Sequence, residues 1–300
     1  MGVRIGIVTV RDPLYHPNRR LLEAARARGH EAVLCHPYRV WPGVRAGLPV
    51  LVGPAAGLDV ALPRQGSEVR DSCLALLRQF RLLGVGVVNG PDAVAVSRDQ
   101  FLTLQALAQA GVPVPDTVFI NAPGALEAAA AAVGGYPVVL KLPRGRKGEG
   151  VALARGPDEA RRVAAGWLDP ARGLLVQRFI PPGGRRDVRG LVIGGRVAAA
   201  LALRPGPGEF RANFRRSRGA EAVEPEPGLA GALLGAARAV GLEIAGVDAV
   251  VDARGDVRVL EVNYAPGFEG LEQVTGRDIA GEIVEHAARR AGPTSGGGAG

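Results

Sequence analysis

Two carboxylate-bearing segments near the C-terminus constrain the fold more than any other part of the chain. Gly246-Val247-Asp248-Ala249-Val250-Val251 and Val257-Arg258-Val259-Leu260-Glu261-Val262-Asn263 are rich in β-branched residues and read as strands. Asp252-Ala253-Arg254-Gly255-Asp256 between them reads as a turn. A loop over 253–256 predicts Asp248 directly opposite Glu261, and the two-residue alternation of a strand then puts Asn263 on the face of Glu261. Two facing carboxylates repel. A hard cation removes that repulsion and uses both as oxygen ligands, with Asn263 as a third; Mg²⁺ is usually held by one or two carboxylates plus substrate phosphates. A loop one residue longer or shorter would turn one carboxylate away. The competing reading is two charges on a solvated sheet face.

The lysines favour the metal. Of 37 Lys plus Arg, only Lys141 and Lys147 are lysine, so this chain uses Arg wherever a generic positive charge will serve. Lys141 ends the apolar run Tyr136-Pro137-Val138-Val139-Leu140, which reads as a buried strand. Lys147 lies in Gly145-Arg146-Lys147-Gly148-Glu149-Gly150, and Val151 to Ala154 reads as the next strand. This is a strand, a glycine-rich flap and a strand, not a P-loop, since G-x-x-x-x-G-K-[ST] is absent. Such a hairpin can lay backbone N–H groups on phosphates, and a strand lysine beside it supplies a point charge. Beside an oxygen-rich metal hairpin it suggests a nucleoside triphosphate with Mg²⁺, or Mn²⁺ with the same oxygen preference. An ordinary basic hairpin is the alternative.

Composition removes several classes. A hydrophobic fraction of 47% with 22% charged residues is that of a globular protein with ample core. The net charge of +8 permits an acidic partner such as ATP or an acidic peptide. Nucleic acid is a minor reading without an arginine-rich tail, zinc-finger spacing or aromatic RNA-binding signature. Cys35 and Cys73 fit no metal or disulfide pattern, and His16, His30, His36 and His286 form no H-E-x-x-H. The chain enters a strand at Val3 without a signal-peptide profile, and no uncharged apolar run is long enough to span a membrane. A cytoplasmic protein is expected.

The expected fold is α/β and α+β in three parts with a short tail. Residues 1–90 alternate strand and helix as a small open parallel sheet, with candidate strands at Val50 to Val52 and Leu58 to Leu62. Its first turn lacks G-x-G-x-x-G. Residues 91–180 form a central unit with the flap. There Ser97-Arg98-Asp99-Gln100 has capping-box spacing, with Ser97 at the N-cap. Residues 181–292 hold strands near 187–193 and 196–203, a basic loop, a helix near 228–240, the metal hairpin and a helix from about Gly276 to Arg290. Residues 293–300 read as a disordered Gly-rich tail.

With these residues in place, the chain resembles the ATP-grasp superfamily, and within it the RimK-type α-L-glutamate ligases. The resemblance runs from residue 3 to about 290. It is carried by Glu261-Val262-Asn263-Tyr264-Ala265-Pro266-Gly267, by Phe268 to Glu272, and by Thr275-Gly276-Arg277-Asp278-Ile279-Ala280-Gly281. Ala245-Gly246-Val247-Asp248, Phe210-Arg211-Ala212-Asn213 and Asp187-Val188-Arg189 follow in order. It implies an ATP-grasp fold preceded by a Rossmann-like pre-ATP-grasp domain whose sheet helps form the acceptor site. It also implies an enzyme that joins an acid to an amine through an acyl phosphate.

Position by position, the resemblance implies Asp248, Glu261 and Asn263 on Mg²⁺ and Lys141 on ATP phosphates. The flap over Gly145, Lys147, Gly148 and Gly150 would cover those phosphates. Backbone groups of Arg178 and Phe179 would meet adenine, Asp187 the nucleotide, and Arg211 and Asn213 the phosphoryl group in transfer. The implied partners are L-glutamate and an acidic, carboxylate-ended acceptor, such as a ribosomal-protein tail; a carrier protein or a glutamate-bearing cofactor is the alternative acceptor. Basic residues including Arg64, Arg215, Arg216 and Arg218 suit such an acceptor, and a homo-oligomer is compatible with the sequence. Several positions depart from the family pattern, among them Tyr264-Ala265 after the Glu-Val-Asn run and Arg146-Lys147 in the flap. Gln100 stands in place of a phosphate-binding Lys, Arg178 in place of a hinge acid, and Leu203-Arg204 in place of an Arg-Arg pair. They support a rival reading, an ATP-binding regulatory protein without ligase activity.

Overall fold

The structure, a computed structural model, describes residues 2–55, 57–64, 71–145, 150–205 and 217–291. The first ninety residues build β1 (Arg4–Val8), α1 (His16–Ala27), β2 (Glu31–Cys35), β3 (Trp41–Arg45), β4 (Leu48–Val52), β5 (Val60–Pro63), α2 (Asp71–Leu82) and β6 (Gly86–Val87). Helix α1 buries Leu21, Ala24 and Ala25 at helical spacing, and Gly29, at φ 73°, follows its end in the left-handed region. Four strands form a parallel sheet in the order β2-β1-β5-β6. The chain leaves β1 toward β2 and returns past it to β5, so the crevice beyond the C-terminal ends of β1 and β5 is a topological switch point. The expected strand at Val50 to Val52 does not join this sheet. It lies in a separate antiparallel hairpin of β3 and β4, because Ala46 and Gly47, at φ 50° and 77°, turn the chain back in two residues.

The central unit holds α3 (Pro91–Ser97), α4 (Gln100–Gln109), β7 (Thr117–Ile120), α5 (Leu126–Ala132), β8 (Val138–Lys141), β9 (Val151–Ala154), α6 (Pro157–Trp167) and β10 (Leu174–Arg178). Its antiparallel sheet runs β7-β10-β8-β9. The expected capping box does not form. Ser97 ends α3, and Asp99 caps α4 by accepting from the Phe101 and Leu102 N–H groups. The Asp99 carboxylate complements the positive end of the helix dipole, whereas the Ser97 hydroxyl turns back to donate to the Val94 carbonyl at 3.3 Å. Gln100 becomes the first helical residue, and its side chain is released for another contact.

The last third holds β11 (Arg186–Ile193), β12 (Arg196–Pro205), β13 (Ser217–Ala222), α7 (Pro227–Val240), β14 (Ile244–Val251), β15 (Val257–Asn263), α8 (Glu269–Thr275) and α9 (Ile279–Ala288). The antiparallel order is β13-β12-β11-β14-β15. The single helix expected over 276–290 starts later, and α8 precedes it: Gly276, at φ 66°, ends α8, and Asp278 caps α9 by accepting from Gly281 N–H.

The N-terminal and C-terminal sheets share two cores. Leu76, Leu77 and Phe80 of α2 meet Leu233 and Ala236 of α7 together with Val247, Val259 and Val262. Ile5, Ile7 and Leu21 meet Leu191, Leu201, Phe268 and Ile283. The central unit has its own core around Leu126, Val138, Leu140, Leu174 and Val176. Each such side chain contributes about 1.5–3 kcal/mol on burial, so the shared cores make one stiff body of the two ends. Asn89 fastens that joint. Its Nδ2 donates to the Ile244 and Tyr264 carbonyls at 2.7 and 2.8 Å, and its Oδ1 accepts from Glu243 and Ile244 N–H at 2.8 and 2.9 Å. Among the described residues no helix is long and apolar enough to cross a membrane.

Candidate active site

The loop between β14 and β15 has five residues, 252–256, rather than four. Val251 pairs with Val257 and Ala249 with Val259. Continued unchanged, that register would put Leu260 opposite Asp248 and turn Glu261 to the other face. A bulge at Leu260 absorbs the extra residue, so Asp248 faces Glu261 and Gly246 faces Asn263. The expected pairing therefore forms for a different reason. Two distant contacts hold the bulged segment: Val259 N–H donates to the Pro113 carbonyl at 2.8 Å, and Gln100 Nε2 to the Leu260 carbonyl at 2.7 Å. Gln100 N–H also donates to the Pro143 carbonyl at 2.8 Å, two residues beyond Lys141.

Four charges line up across the two antiparallel sheets. Arg189 on β11 pairs in register with Asp248 and grips it with two bonds, Nε to Oδ1 at 2.7 Å and Nη2 to Oδ2 at 2.5 Å. Asp248 faces Glu261, and Lys141 from β8 is near enough to feel the Glu261 charge. Glu261 is open to solvent on its strand face, with protein atoms close around its carboxylate. Burial and then the neighbouring Asp248 push its carboxyl above the usual range, against the pull of Lys141 and Arg189. Burial lowers the Lys141 ammonium to about 8, with Glu261 opposing. The Asp248 charge, despite desolvation, holds the Arg189 guanidinium more firmly protonated.

This donor set fits a hard cation. Asp248 and Glu261 offer carboxylate oxygens, each with lone pairs beyond those now used. Asn263 offers Oδ1, oriented by accepting from Ala265 N–H at 2.9 Å. Among the described residues no group of three His, Cys, Asp or Glu side chains could hold a metal by itself. Two carboxylates and an amide, short of a full cage, suit an ion that also binds phosphate oxygens.

The other expected residues divide. Asp187 is buried on the same strand face as Arg189, 3.0 Å from Arg185, and burial raises its carboxyl against that pairing. Gly150 closes the flap's base: its carbonyl accepts from Leu142 N–H at 2.8 Å. Its φ is 78°, and an added Cβ would lie 2.7 Å from Leu142 Cδ1. Gly145 sits at the flap's other end. Arg178 ends β10 with its guanidinium 3.0 Å from Asp116 and its N–H on the Asp116 carbonyl at 2.9 Å; Phe179 follows. Lys147, Gly148, Arg211, Asn213, Arg215, Arg216 and the 293–300 tail lie outside the described residues. Arg189 was not among the expected site residues. Its signal was its place two residues after Asp187, on the same face.

Comparison with known proteins identifies the family. Residues 3–94 match the RimK PreATP-grasp domain and residues 97–287 the RimK-like ATP-grasp domain. A probable alpha-L-glutamate ligase of Thioalkalivibrio sulfidiphilus is 37% identical over 294 residues, 97% of each chain. The crystal structure of a RimK domain ATP-grasp protein from Sphaerobacter thermophilus superposes with a TM-score of 0.76 at 28% identity, covering 95% of this chain and 99% of that one. The ATP-grasp ligase PsnB, complexed with a phosphomimetic variant of its minimal precursor, Mg and ADP, shares the fold at a TM-score of 0.72 and 24% identity, over 95% and 98% of the two chains. With both of its domains matched in order along nearly its whole length, the chain belongs to the RimK family of ATP-grasp ligases.

Proposed function

We propose that the protein is an ATP- and Mg²⁺-dependent carboxylate–amine ligase that adds L-glutamate to an acceptor ending in a carboxylate. The observation that carries this reading is the meeting of Lys141, from the central sheet, with the Asp248–Glu261 pair, from the C-terminal sheet. The name of the 37% identical relative supports glutamate as the added residue.

In this reading an acceptor carboxylate oxygen bonds to the γ-phosphorus of ATP as the bond to ADP breaks, leaving an acyl phosphate. The nitrogen of L-glutamate then bonds to the acyl carbon, phosphate leaves with the electron pair of the broken C–O bond, and the nitrogen gives up a proton. Both partners of the first step are anions, so the protein's task is charge. Lys141 brings a positive charge to the phosphate oxygens in a desolvated cleft, where it counts for more than in water. Asp248, Glu261 and Asn263 would hold Mg²⁺, which neutralises phosphate charge when bound. Arg189 fixes the orientation of Asp248 through its two-bond grip. Asp187 for the nucleotide, Arg178 and Phe179 backbone for adenine, the 145–150 flap for cover, and Arg211 with Asn213 for the phosphoryl group complete the proposal.

The test is ADP release with Mg²⁺ and ATP, with and without L-glutamate. It is run across an acidic Glu-ended peptide, an amino-group carrier protein and a glutamate-bearing cofactor, with product masses. Release that needs both glutamate and one acceptor, with the mass of one added residue, is the expected result. ATP binding with no coupled release for any amino acid would favour the regulatory reading instead.

A further inference from the structure

One side chain fastens the crossing from the central sheet to the C-terminal sheet. β10 ends at Arg178 and β11 begins at Arg186. Arg185, the last residue of the crossing, reaches back along it. Its Nη1 donates to the Ile180 carbonyl, one residue past Phe179. On its other side Nε lies 3.0 Å from Asp187 Oδ1, and Nη2 donates to Asp187 Oδ2 at 3.3 Å. Both side chains of this pair are only 7% exposed. Burial raises the Asp187 carboxyl; Arg185 opposes that, and the Asp248 charge adds to it. Asp187 shares its strand face with Arg189, whose own fork grips Asp248. The Arg185 guanidinium therefore joins two parts of the proposed nucleotide site: the backbone that leaves β10 and the row of charges that begins on β11.

A buried ion pair adds little stability over apolar side chains of the same volume. Its effect here is on geometry. The planar fork of Arg fixes the angle as well as the distance of a carboxylate, and the same plane also holds a backbone carbonyl. Along the chain those two contacts are linked by the exposed run Pro181-Pro182-Gly183-Gly184; the fork is the short, buried path between them. We propose that Arg185 is a positioning residue for the nucleotide: it acts through Asp187 and the Ile180 backbone, which it holds as one unit for ATP to bind against. This inference rests on the reading of Asp187 and the end of β10 as nucleotide contacts. Arg185 is not among the residues that the family resemblance implies.

The test is calorimetric ATP affinity at saturating Mg²⁺ for the wild type, Arg185→Met, Arg185→Lys, Asp187→Asn and the double variant Arg185→Met with Asp187→Asn. Arg185→Met should weaken ATP binding by about 10- to 100-fold, the scale on which the outer supports of a binding site act. Arg185→Lys, which keeps the charge but not the fork, should weaken it by less, and Asp187→Asn should weaken it as well. Once Arg185 is gone Asp187 is no longer held in place, so the double variant should bind ATP no more weakly than Arg185→Met alone. A residue that merely supports the fold would leave the two losses additive. Unchanged ATP affinity in Arg185→Met, additive losses in the double variant, or a wild type that binds no ATP overturns the proposal. Should Arg185→Met not fold, the same cycle built on Arg185→Lys carries the test. Weakened binding in Asp187→Asn with full affinity in Arg185→Met overturns the proposal alone; full affinity in Asp187→Asn overturns the reading of Asp187 beneath it. ATP binding that depends on the pair but never couples ADP release to glutamate would overturn the ligase reading and leave Arg185 its role.

Discussion

In the β3–β4 hairpin two residues set the register: Ala46 and Gly47 take positive φ, Arg45 pairs with Leu48, and every later pair follows without a shift. In the β14–β15 hairpin the turn alone would give the wrong answer. Five loop residues would face Asp248 with Leu260, and the bulge that brings Glu261 round is held from outside by Gln100 and Pro113. The first hairpin leaves Trp41, Val44 and Leu48 exposed and brings no charged cluster together. The second gathers Arg189, Asp248, Glu261 and Lys141 from four strands and two sheets. A locally determined turn builds a hairpin at low cost. A register that places facing carboxylates against their own repulsion needs tertiary supports.

The comparison breaks most visibly at Glu261. Replacing it by Ala should lower ATP turnover by at least about 100-fold, because loss of a ligand exceeds the 10- to 100-fold cost of losing its outer supports; a steady-state rate near wild type would mean that the carboxylate pair is ordinary surface charge. Gln100→Ala removes the clamp on the bulge and leaves every ligand in place. Turnover should drop by about tenfold with the melting temperature little changed, and an unaffected rate would show that the bulge needs no outside support. Gly47→Ala strains a positive-φ position in the other hairpin and should cost about 1 kcal/mol in urea unfolding with turnover intact. A loss of turnover there would remove the contrast between the hairpins.

The smallest effect lies at the joint beneath the functional hairpin. Glu243 accepts from His286 at 2.9 Å and from Arg290 at 2.6 Å, and these bonds, His286 first, hold its carboxyl below 4.5. A depressed carboxyl adds stability above its unfolded pKa, and that stability is lost as pH falls through the folded value. Glu243 is about a third exposed, so the contribution should stay under about 1 kcal/mol. Glu243→Gln should match the wild type in unfolding experiments below pH 4 and fall slightly short at pH 6. A gap that widens on acidification would contradict the assignment.

Much of this architecture was legible in the sequence because it follows local rules. The parallel sheet followed from strand and helix alternation. The flap strands followed from an apolar run and its glycines, and the strands that bear Asp248, Glu261 and Asn263 from β-branched alternation around two carboxylates. What escaped was long-range. Nothing near Leu260 announces a bulge, since its holder Gln100 lies 160 positions away. Gln100 looked like a cap residue because Ser97 stood at the right spacing, yet the helix starts two residues later, capped by Asp99. Arg189 faces Asp248 only through the pairing of β11 with β14, which helix α7 and two strands separate along the chain. Helix α8 is seven residues between two glycine-bearing stretches, too short for a periodic signal. The departure at Gln100 acquires a structural task, support of the bulged β14–β15 hairpin, in place of the missing lysine charge.

The most direct test of the central claim is ATP affinity measured across a Mg²⁺ titration, in the wild type and in Glu261→Ala. The account predicts that wild-type affinity rises steeply with Mg²⁺ and that the variant stays weak and nearly indifferent to the ion. Equal affinity and equal Mg²⁺ dependence in the two proteins would contradict it.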